Sequence, residues 1–497
     1  MLKLYIYRIN HEELTKALQE GIYYLEALEP STVELNQFGH VETLSCHKRL
    51  RKDKDTWETT TEALRIPARS IFVATGTQPN IAYEFEHKGT FIKQGLQYQH
   101  YEEVNGELVI PHGIQHCKQP DFGAFTSYHK QHHRVSLIGD THPVFHGSVV
   151  KAIASGMRSY PKILEVLKDR LGQRGDTHEY HVFAKKVADL FSATVANIKR
   201  LTHNVIELSI RAPMAAKHFM PGQFYRLQNY ETFTHKVNHT SLQMEPLALI
   251  ASGIDPKQHI LKFIVIEQGS SSKLCSILRV GDPISLMGPT GVRAKVSKEH
   301  ETVLIIGNQL SLALLSSYGP ALRAAGNRVI FIGLFENKEE IYNLSVIKEM
   351  ADVVILKTEN DIGKILLEYE KSKPTISLTD VDRIHLIGNS NLLRSFQEAR
   401  HTYLKEFFIK QPYVFGSVYS TMQCMLKGVC AQCLQWQIDP ETGKRTKAVF
   451  ACSWPDQPLE LIDFDNIDER QVQNHLAEKI SSKWVDYLFE RYNVEKV

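Results

Sequence analysis

The sequence predicts a multidomain α/β protein with an antiparallel β-barrel set between two α/β regions and a cysteine-bearing C-terminal segment. Three observations lead there. Between about 186 and 295, short alternating segments (TVANIKRL, NVIELSIRA, FYRLQNY, HILKFIVIEQ) are separated by Gly, Pro and Asn, which is how antiparallel strands read. After about 300, the apolar runs VLIIG (303–307), RVIFIGLF (328–335), DVVILK (352–357) and IHLIG (384–388) alternate with helical stretches, the pattern of a parallel, doubly wound sheet. Before about 165 the pattern is mixed α/β. At ~150 residues per domain, 497 residues make about three domains.

Taken in order, 11–28 (HEELTKALQEGIYYLEAL) has helical spacing, with Gly21 near the point where a strand should follow. IFVATG (71–76) reads as an apolar strand ending in a small-residue turn, and RVSLIGD (134–140) as another. VVKAIASGM (149–157) reads as a helix with small residues on its packing face. The expected domains are therefore 1–165, a charged helical linker at 166–185, the barrel at 186–295, the α/β lobe at 296–405, and 406–497. That last segment holds a cysteine cluster and an end helix, AEKISSKWVDYLFERY.

Composition narrows the function classes. Hydrophobic residues make up 43% and charged residues 23%, near globular averages. The 58 basic and 56 acidic residues leave a net charge of +2, too balanced for a protein held to nucleic acid mainly through phosphates. No apolar run approaches the ~18 residues of a membrane span, and MLKLYIYRINHEE lacks the apolar core of a signal peptide. The expectation is a cytoplasmic protein. YHKQHHR (128–134) mixes its histidines with Lys, Gln and Arg and reads as a solvated loop rather than a metal site.

Seven cysteines are too few for a disulfide scaffold. Cys46, Cys117 and Cys275 are scattered, whereas the other four follow Cys424-x5-Cys430-x2-Cys433-x18-Cys452. In a reducing compartment such a cluster suggests a metal. A tight loop supplying three thiolates with a distant fourth suits a [2Fe-2S] cluster; the plant-type pattern is C-x4-C-x2-C plus a remote Cys, one residue shorter in the first gap. Structural zinc usually takes two close ligand pairs, and this stretch has one CxxC and two singletons. Zinc and unligated thiols stay as alternatives.

With those residues in hand, 186–470 resembles the electron-transfer subunit of dihydroorotate dehydrogenase, within the ferredoxin–NADP reductase superfamily. The resemblance rests on PGQFYRL (221–227), PLALIAS (246–252), GSSSKLCSILRVGDPISLMGPTG (269–291), VLIIGNQLSLALL (303–315) and the cysteine loop, with Ser417 and Met422 at the family's offsets before Cys424. It implies an FAD-binding barrel, an NAD(P)H-binding lobe and a C-terminal [2Fe-2S] loop. Pro246, Leu247, Gly269, Ser271 and Ser272 are then the expected flavin contacts, the serines offering backbone and hydroxyl donors. Two departures stand out. Glu245 occupies the position of an Arg that pairs with the flavin diphosphate, and Ala248 replaces a Ser. Arg226 is either a substitute for that Arg or a solvent-facing residue. In the lobe, Gly307-Asn308-Gln309-Leu310-Ser311-Leu312-Ala313 retains one glycine, and Leu310 and Leu312 are expected to fill the approach of a pyrophosphate.

Residues 1–165 resemble the second half of the glutamate synthase small subunit, a flavoprotein with two dinucleotide-binding domains. The resemblance rests on the segment 7–48, on Ala74-Thr75-Gly76, on Gly139-Asp140 and on Gly147-Ser148 with the helix that follows. It implies that Asp140 holds sugar hydroxyls of an FAD and that the helix after Gly147 faces its pyrophosphate. No G-x-G-x-x-G occurs in the chain. Both such loops lie upstream in that architecture, so the expectation is a truncated frame or a split enzyme whose partner subunit supplies the missing half or accepts electrons.

The sequence thus points to an oxidoreductase moving electrons between NAD(P)H, FAD and a [2Fe-2S] cluster held by Cys424, Cys430, Cys433 and Cys452, with the cluster taking single electrons from a two-electron flavin. The rival reading is a non-catalytic scaffold or relay whose nucleotide sites have decayed and which keeps only the cluster or a structural zinc.

Overall fold

The structure, a computed structural model, describes residues 11–53, 56–74, 79, 81, 83–113, 115–127, 133–172, 175–297, 300–359, 361–418, 425–426 and 430–497. The chain forms two compact units, Met1–Thr77 and Gln78–Val497, which share the region expected at 1–165 between them. No helix among the described residues is long and apolar enough to cross a membrane.

In the first unit, helix His11–Gln19 stops before Gly21, whose φ of +81° suits a residue without a Cβ. Three antiparallel strands follow, Leu28–Leu35, Val41–Arg51 and Trp57–Pro67. The Asn36 side chain fixes the first hairpin turn by accepting from the Phe38 and His40 amides. The expected strand IFVATG does not form over 71–74: Phe72 and Val73 stand exposed. Apolar composition suffices for a strand only where a partner edge exists, and the ladder ends at Trp57–Pro67.

The second unit begins with a small sheet ordered Glu107–Val109, His100–Val104, Phe125–Thr126, Val135–Ser136. The expected strand RVSLIGD shrinks to Val135–Ser136 and gives way to a tight turn at Gly139–Thr141. Phe122, Ala124, Phe125 and Phe145 make the local core. Helix Val149–Val166 turns Ser155 and Ser159 inward, while Val150, Ile153, Met157, Tyr160 and Leu164 lie exposed. The expected linker is helical at Lys168–Leu171 and from Thr177 to Phe191.

Six strands then build the barrel, in the spatial order Thr194–Arg200, Val205–Arg211, Ile260–Ile266, Leu247–Asp255, Phe224–Asn229, Ile284–Thr290. A bridge between Thr194 and Pro283, with the Gly281 amide donating to the Val195 carbonyl at 2.8 Å, joins the first edge to the last. Closure removes exposed strand edges. Within PGQF, Gly222 has a φ of +83°, and a Cβ there would meet Ala294 at 2.6 Å.

The lobe is a parallel sheet in the order Val353–Lys357, Arg328–Leu334, Thr302–Gly307, Arg383–Gly388, Tyr413–Val418, with a short antiparallel strand Gln457–Pro458 at its edge. The first strand lies in the middle, so the winding reverses between Thr302–Gly307 and Arg383–Gly388. Ligands of such sheets bind at that reversal. The last helix, Phe464–Arg491, is longer than the expected end helix. Its start buries Phe464 and Ile467 in the lobe core, and its end buries Val485, Leu488 and Phe489 in the barrel core. At 1.5 Å per residue it spans about 42 Å and ties the two domains together.

Candidate functional site

Where barrel meets lobe lies a cavity of about 360 Å³. Its apolar wall comes from Leu247, Leu249, Ile250 and Ile264 on neighbouring barrel strands and from Leu310 and Ala313 at the start of the lobe helix Gln309–Ala324. Its polar end comes from Glu245, Ser271 and Ser272, together with Gln471 and Glu478 of the terminal helix. The structure therefore gathers Pro246, Leu247, Gly269, Ser271 and Ser272, the expected flavin contacts, around one space.

The Gly269 and Ser270 amides and the Ser270 and Ser272 hydroxyls of the GSSS turn are already engaged as donors. The Ser270 amide donates to Glu478 Oε1 at 2.7 Å and the Ser270 hydroxyl donates to the same oxygen at 3.1 Å. Ser271 Oγ accepts from the Glu245 amide at 2.8 Å. Ser272 Oγ accepts from the Gly269 amide at 2.9 Å and donates to the Gly269 carbonyl at 3.0 Å. A Cβ on Gly269 would fall 2.5 Å from Glu478 Oε1, so the close approach of the helix depends on glycine there. Glu478 binds the Ser270 amide that would otherwise face a ligand anion, and Glu245 lines the same space. As folded, the residues do not fit a flavin diphosphate.

Arg226 takes neither of its expected roles. It is buried and does not line the cavity. Its guanidinium meets Gln228 Oε1 at 2.5 Å and the sulfurs of Met287 and Met425 at 3.7 and 3.9 Å, beside the cysteine loop. Alternation along the strand Phe224–Asn229 decides this, since neighbouring residues face opposite sides.

A second cleft, of about 410 Å³, opens at the carboxyl ends of the lobe strands, lined by Asn308, Leu334, Glu336, Asn389 and Leu392. Two helices start there. Asn308 caps one by accepting from the Leu310 amide at 3.1 Å, and Asn389 caps the other by accepting from Leu392 at 3.0 Å. The expectation that Leu310 and Leu312 fill this approach is corrected: Leu310 faces the barrel cavity and Leu312 is buried in the core with Val303 and Leu315. Helical geometry turns both away from the strand-end side, leaving the cleft bordered by small polar caps and Glu336.

Of the four expected cluster ligands, Cys424 lies outside the described residues, as does Met422. Cys430 and Cys433 are half-buried and Cys452 is buried. The Cys452 amide donates to Cys433 Sγ at 3.4 Å. The hydrogen bond with Cys452, and then burial, push the Cys433 thiol well above its ordinary pKa. Arg470 holds the loop by donating to the carbonyls of Ala431 and Gln432 at 3.0 Å each. Among the described residues no three His, Cys, Asp or Glu side chains form a metal-binding group. The donor types, cysteine sulfurs with one backbone N–H directed at the Cys433 sulfur, suit an iron–sulfur cluster. Phe224, Leu426 and Cys452 pack together, with Cys433, Phe450 and Ile250 against them.

Away from these sites, the turn of the second unit that bears Gly139, Asp140, Gly147 and Ser148 is one construction. Asp140 Oδ1 accepts from the Gly147 amide at 2.8 Å, Ser148 caps helix Val149–Val166, and Ser155 Oγ accepts from the Gly139 amide at 2.7 Å. Ala74 is exposed in the first unit; Thr75 and Gly76 lie outside the described residues, as do 128–132 of YHKQHHR. Sequence reasoning missed Glu478 and Gln471, and nothing local marks them: Glu478 reaches Ser270 across 208 residues.

No family model matches the chain. It is 27% identical over 480 residues to Uncharacterized protein RP006 of Rickettsia prowazekii (strain Madrid E), covering 96% of this chain and 54% of that protein. It is 22% identical over 171 residues to the dihydroorotate dehydrogenase B (NAD(+)) electron transfer subunit of Bacillus cereus (strain Q1), covering 34% of this chain and 63% of that protein. The chain thus spans about half the length of the first and under two-thirds of the second. A solved NADH-dependent reduced ferredoxin–NADP oxidoreductase overlays with a TM-score of 0.47 at 20% identity, over 58% of this chain and 96% of that one. The ferredoxin–NADP+ reductase of Plasmodium falciparum overlays at 0.37 and 13%, over 46% and 96%. The similarity to the electron-transfer subunit is confined to 34% of this chain. These relatives lend no support to the glutamate synthase-like resemblance.

Proposed function

We propose that this chain is an electron-transfer oxidoreductase module in which Cys424, Cys430, Cys433 and Cys452 hold a [2Fe-2S] cluster that exchanges electrons with a redox partner. The observation that carries this reading is contiguity. Ile250 lines the barrel–lobe cavity and also packs against the apolar cluster of Phe224, Leu426 and Cys452, so the cavity wall and the cysteine segment share one small core. When bound, the cluster supplies one-electron exchange. The chain's own residues contribute its setting: the Cys452 amide polarises a sulfur, Arg470 fixes the loop, and Phe224 and Leu426 keep water from it.

The cleft between Asn308 and Asn389 supports an NAD(P)H site in the lobe, since two helix N-termini converge there. For FAD the barrel seat does not fit, and no step is assigned to it. A flavin contact at Asp140 stays part of the proposal, supported by the start of helix Val149–Val166 beside that carboxylate. A partner subunit is supported by two exposed apolar helix faces: Val150, Ile153, Met157 and Tyr160 on one, Val472, Leu476, Ile480 and Trp484 on the other.

The test is anaerobic reconstitution with iron and sulfide, followed by metal analysis. We expect about two irons and two acid-labile sulfides per chain, and loss of nearly all of both in Cys430→Ser with the circular dichroism spectrum retained. A colourless protein holding zinc, or unchanged iron in the variant, overturns the reading. The relay reading, with the cluster alone, is favoured by the Glu478–Ser270 contact. Cluster reduction by NAD(P)H without added reductase excludes it.

A further inference from the structure

The barrel cavity has a polar end unlike that of a diphosphate site. Glu245 and Glu478 both line it, and neither has an ion-pair partner among the described residues. Glu478 is fixed by two hydrogen bonds from Ser270, so moving it aside breaks both. Farther along, Gln471 Nε2 is buried with no hydrogen-bond partner among the described residues and belongs to a side chain lining the cavity. A buried amide donor without an acceptor is costly, and a ligand carbonyl would satisfy it. Apart from Gln268, the remaining wall is mainly aliphatic, from Leu249, Ile250 and Ile264 of the barrel and Leu310 and Ala313 of the lobe. A volume of about 360 Å³ lies at the small end of the range for ligand pockets.

We propose that this cavity takes a flat, uncharged ring compound with a carbonyl toward Gln471 and hydroxyl or amino donors toward Glu245 and Glu478, and rejects ligands that carry a phosphate there. Two carboxylates at one end repel a phosphate and welcome donors; the aliphatic walls sandwich a ring. The inference deepens the proposed function by naming the ligand class of the space next to the thiols. It stands on the cavity alone and needs no cluster.

The test compares riboflavin, FMN and FAD, which share one ring and differ in phosphate, by flavin fluorescence quenching on the full chain. Riboflavin is expected to bind at least ~10-fold more tightly than FMN or FAD. Glu478→Gln, which keeps the shape and the contact with Ser270 but removes charge, is expected to narrow that ratio. Glu245→Arg combined with Glu478→Gln is expected to reverse it. Equal or tighter binding of FAD by the unaltered chain, no binding of any of the three by a chain with native circular dichroism, or a ratio unmoved in the folded Glu478→Gln chain overturns the proposal. Iron and sulfide are assayed in the same samples. A chain that lacks the cluster but keeps the preference for riboflavin sinks the relay reading and leaves this one standing.

Discussion

The two cavities of the second unit lie where the family resemblance implies phosphate-bearing cofactors, and they are built differently. The lobe cleft is framed by Gly307–Asn308 and Gly388–Asn389, residues at adjacent strand ends whose helices start within a turn. The barrel seat has the right local turn, but a helix from the far end of the chain puts Glu478 into it. A cleft made by local winding survives changes elsewhere. A seat that depends on what packs over it can keep its sequence and change its ligand.

The largest test of that contrast is Leu312→Ala. The side chain is buried beside Leu315 and Val303, so truncation should cost about 2–5 kcal/mol, read as a lowered denaturant midpoint. Binding of NADH at the lobe cleft should stay unchanged at temperatures where the variant is folded. Altered binding at undiminished stability would put Leu312 back in the cleft.

Acid separates both cavities from the rest of the unit. Burial depresses His142 to about 4, outweighing its hydrogen bond with the Gly123 carbonyl. A histidine with a folded pKa below its unfolded value is bound by more protons when unfolded. Its contribution is therefore complete above about pH 6.5 and lost as pH falls toward 4, up to roughly 3 kcal/mol. Hydrogen exchange around Phe122 and Phe145 should rise over that range before exchange in the barrel strands does. Simultaneous loss everywhere would show that the two regions melt as one.

The smallest effect is expected from Asn389→Ala. Losing the cap on the helix Ser390–His401 should cost about 1 kcal/mol and weaken NADH binding, leaving riboflavin binding in the barrel cavity untouched. Equal weakening of both ligands would mean that the cavities are not independent.

The lobe was legible because buried parallel strands read as apolar runs: VLIIG and IHLIG fall within a residue of their observed bounds. IFVATG has the same composition and forms no strand over 71–74, because pairing needs an edge that composition does not reveal. The terminal helix was seen only from 477 onward. Its first turns, FDNIDERQVQNHL, are polar enough to resemble a loop, and they are held by Asp463 accepting from the Asn466 amide and by contact with the lobe.

By itself the sequence determined the order of barrel, lobe and cysteine segment, the identity of the thiols, and the turn at Gly307–Asn308, all of which are matters of local periodicity, spacing and backbone freedom. Only the tertiary structure decided that Glu478 meets Ser270, that Arg226 turns toward Met425, and that Ile250 joins the cavity wall to the cluster around Phe224. The reason is physical: these contacts join residues far apart in the chain, and their partners are chosen by how whole elements pack rather than by any signal in the residues between them.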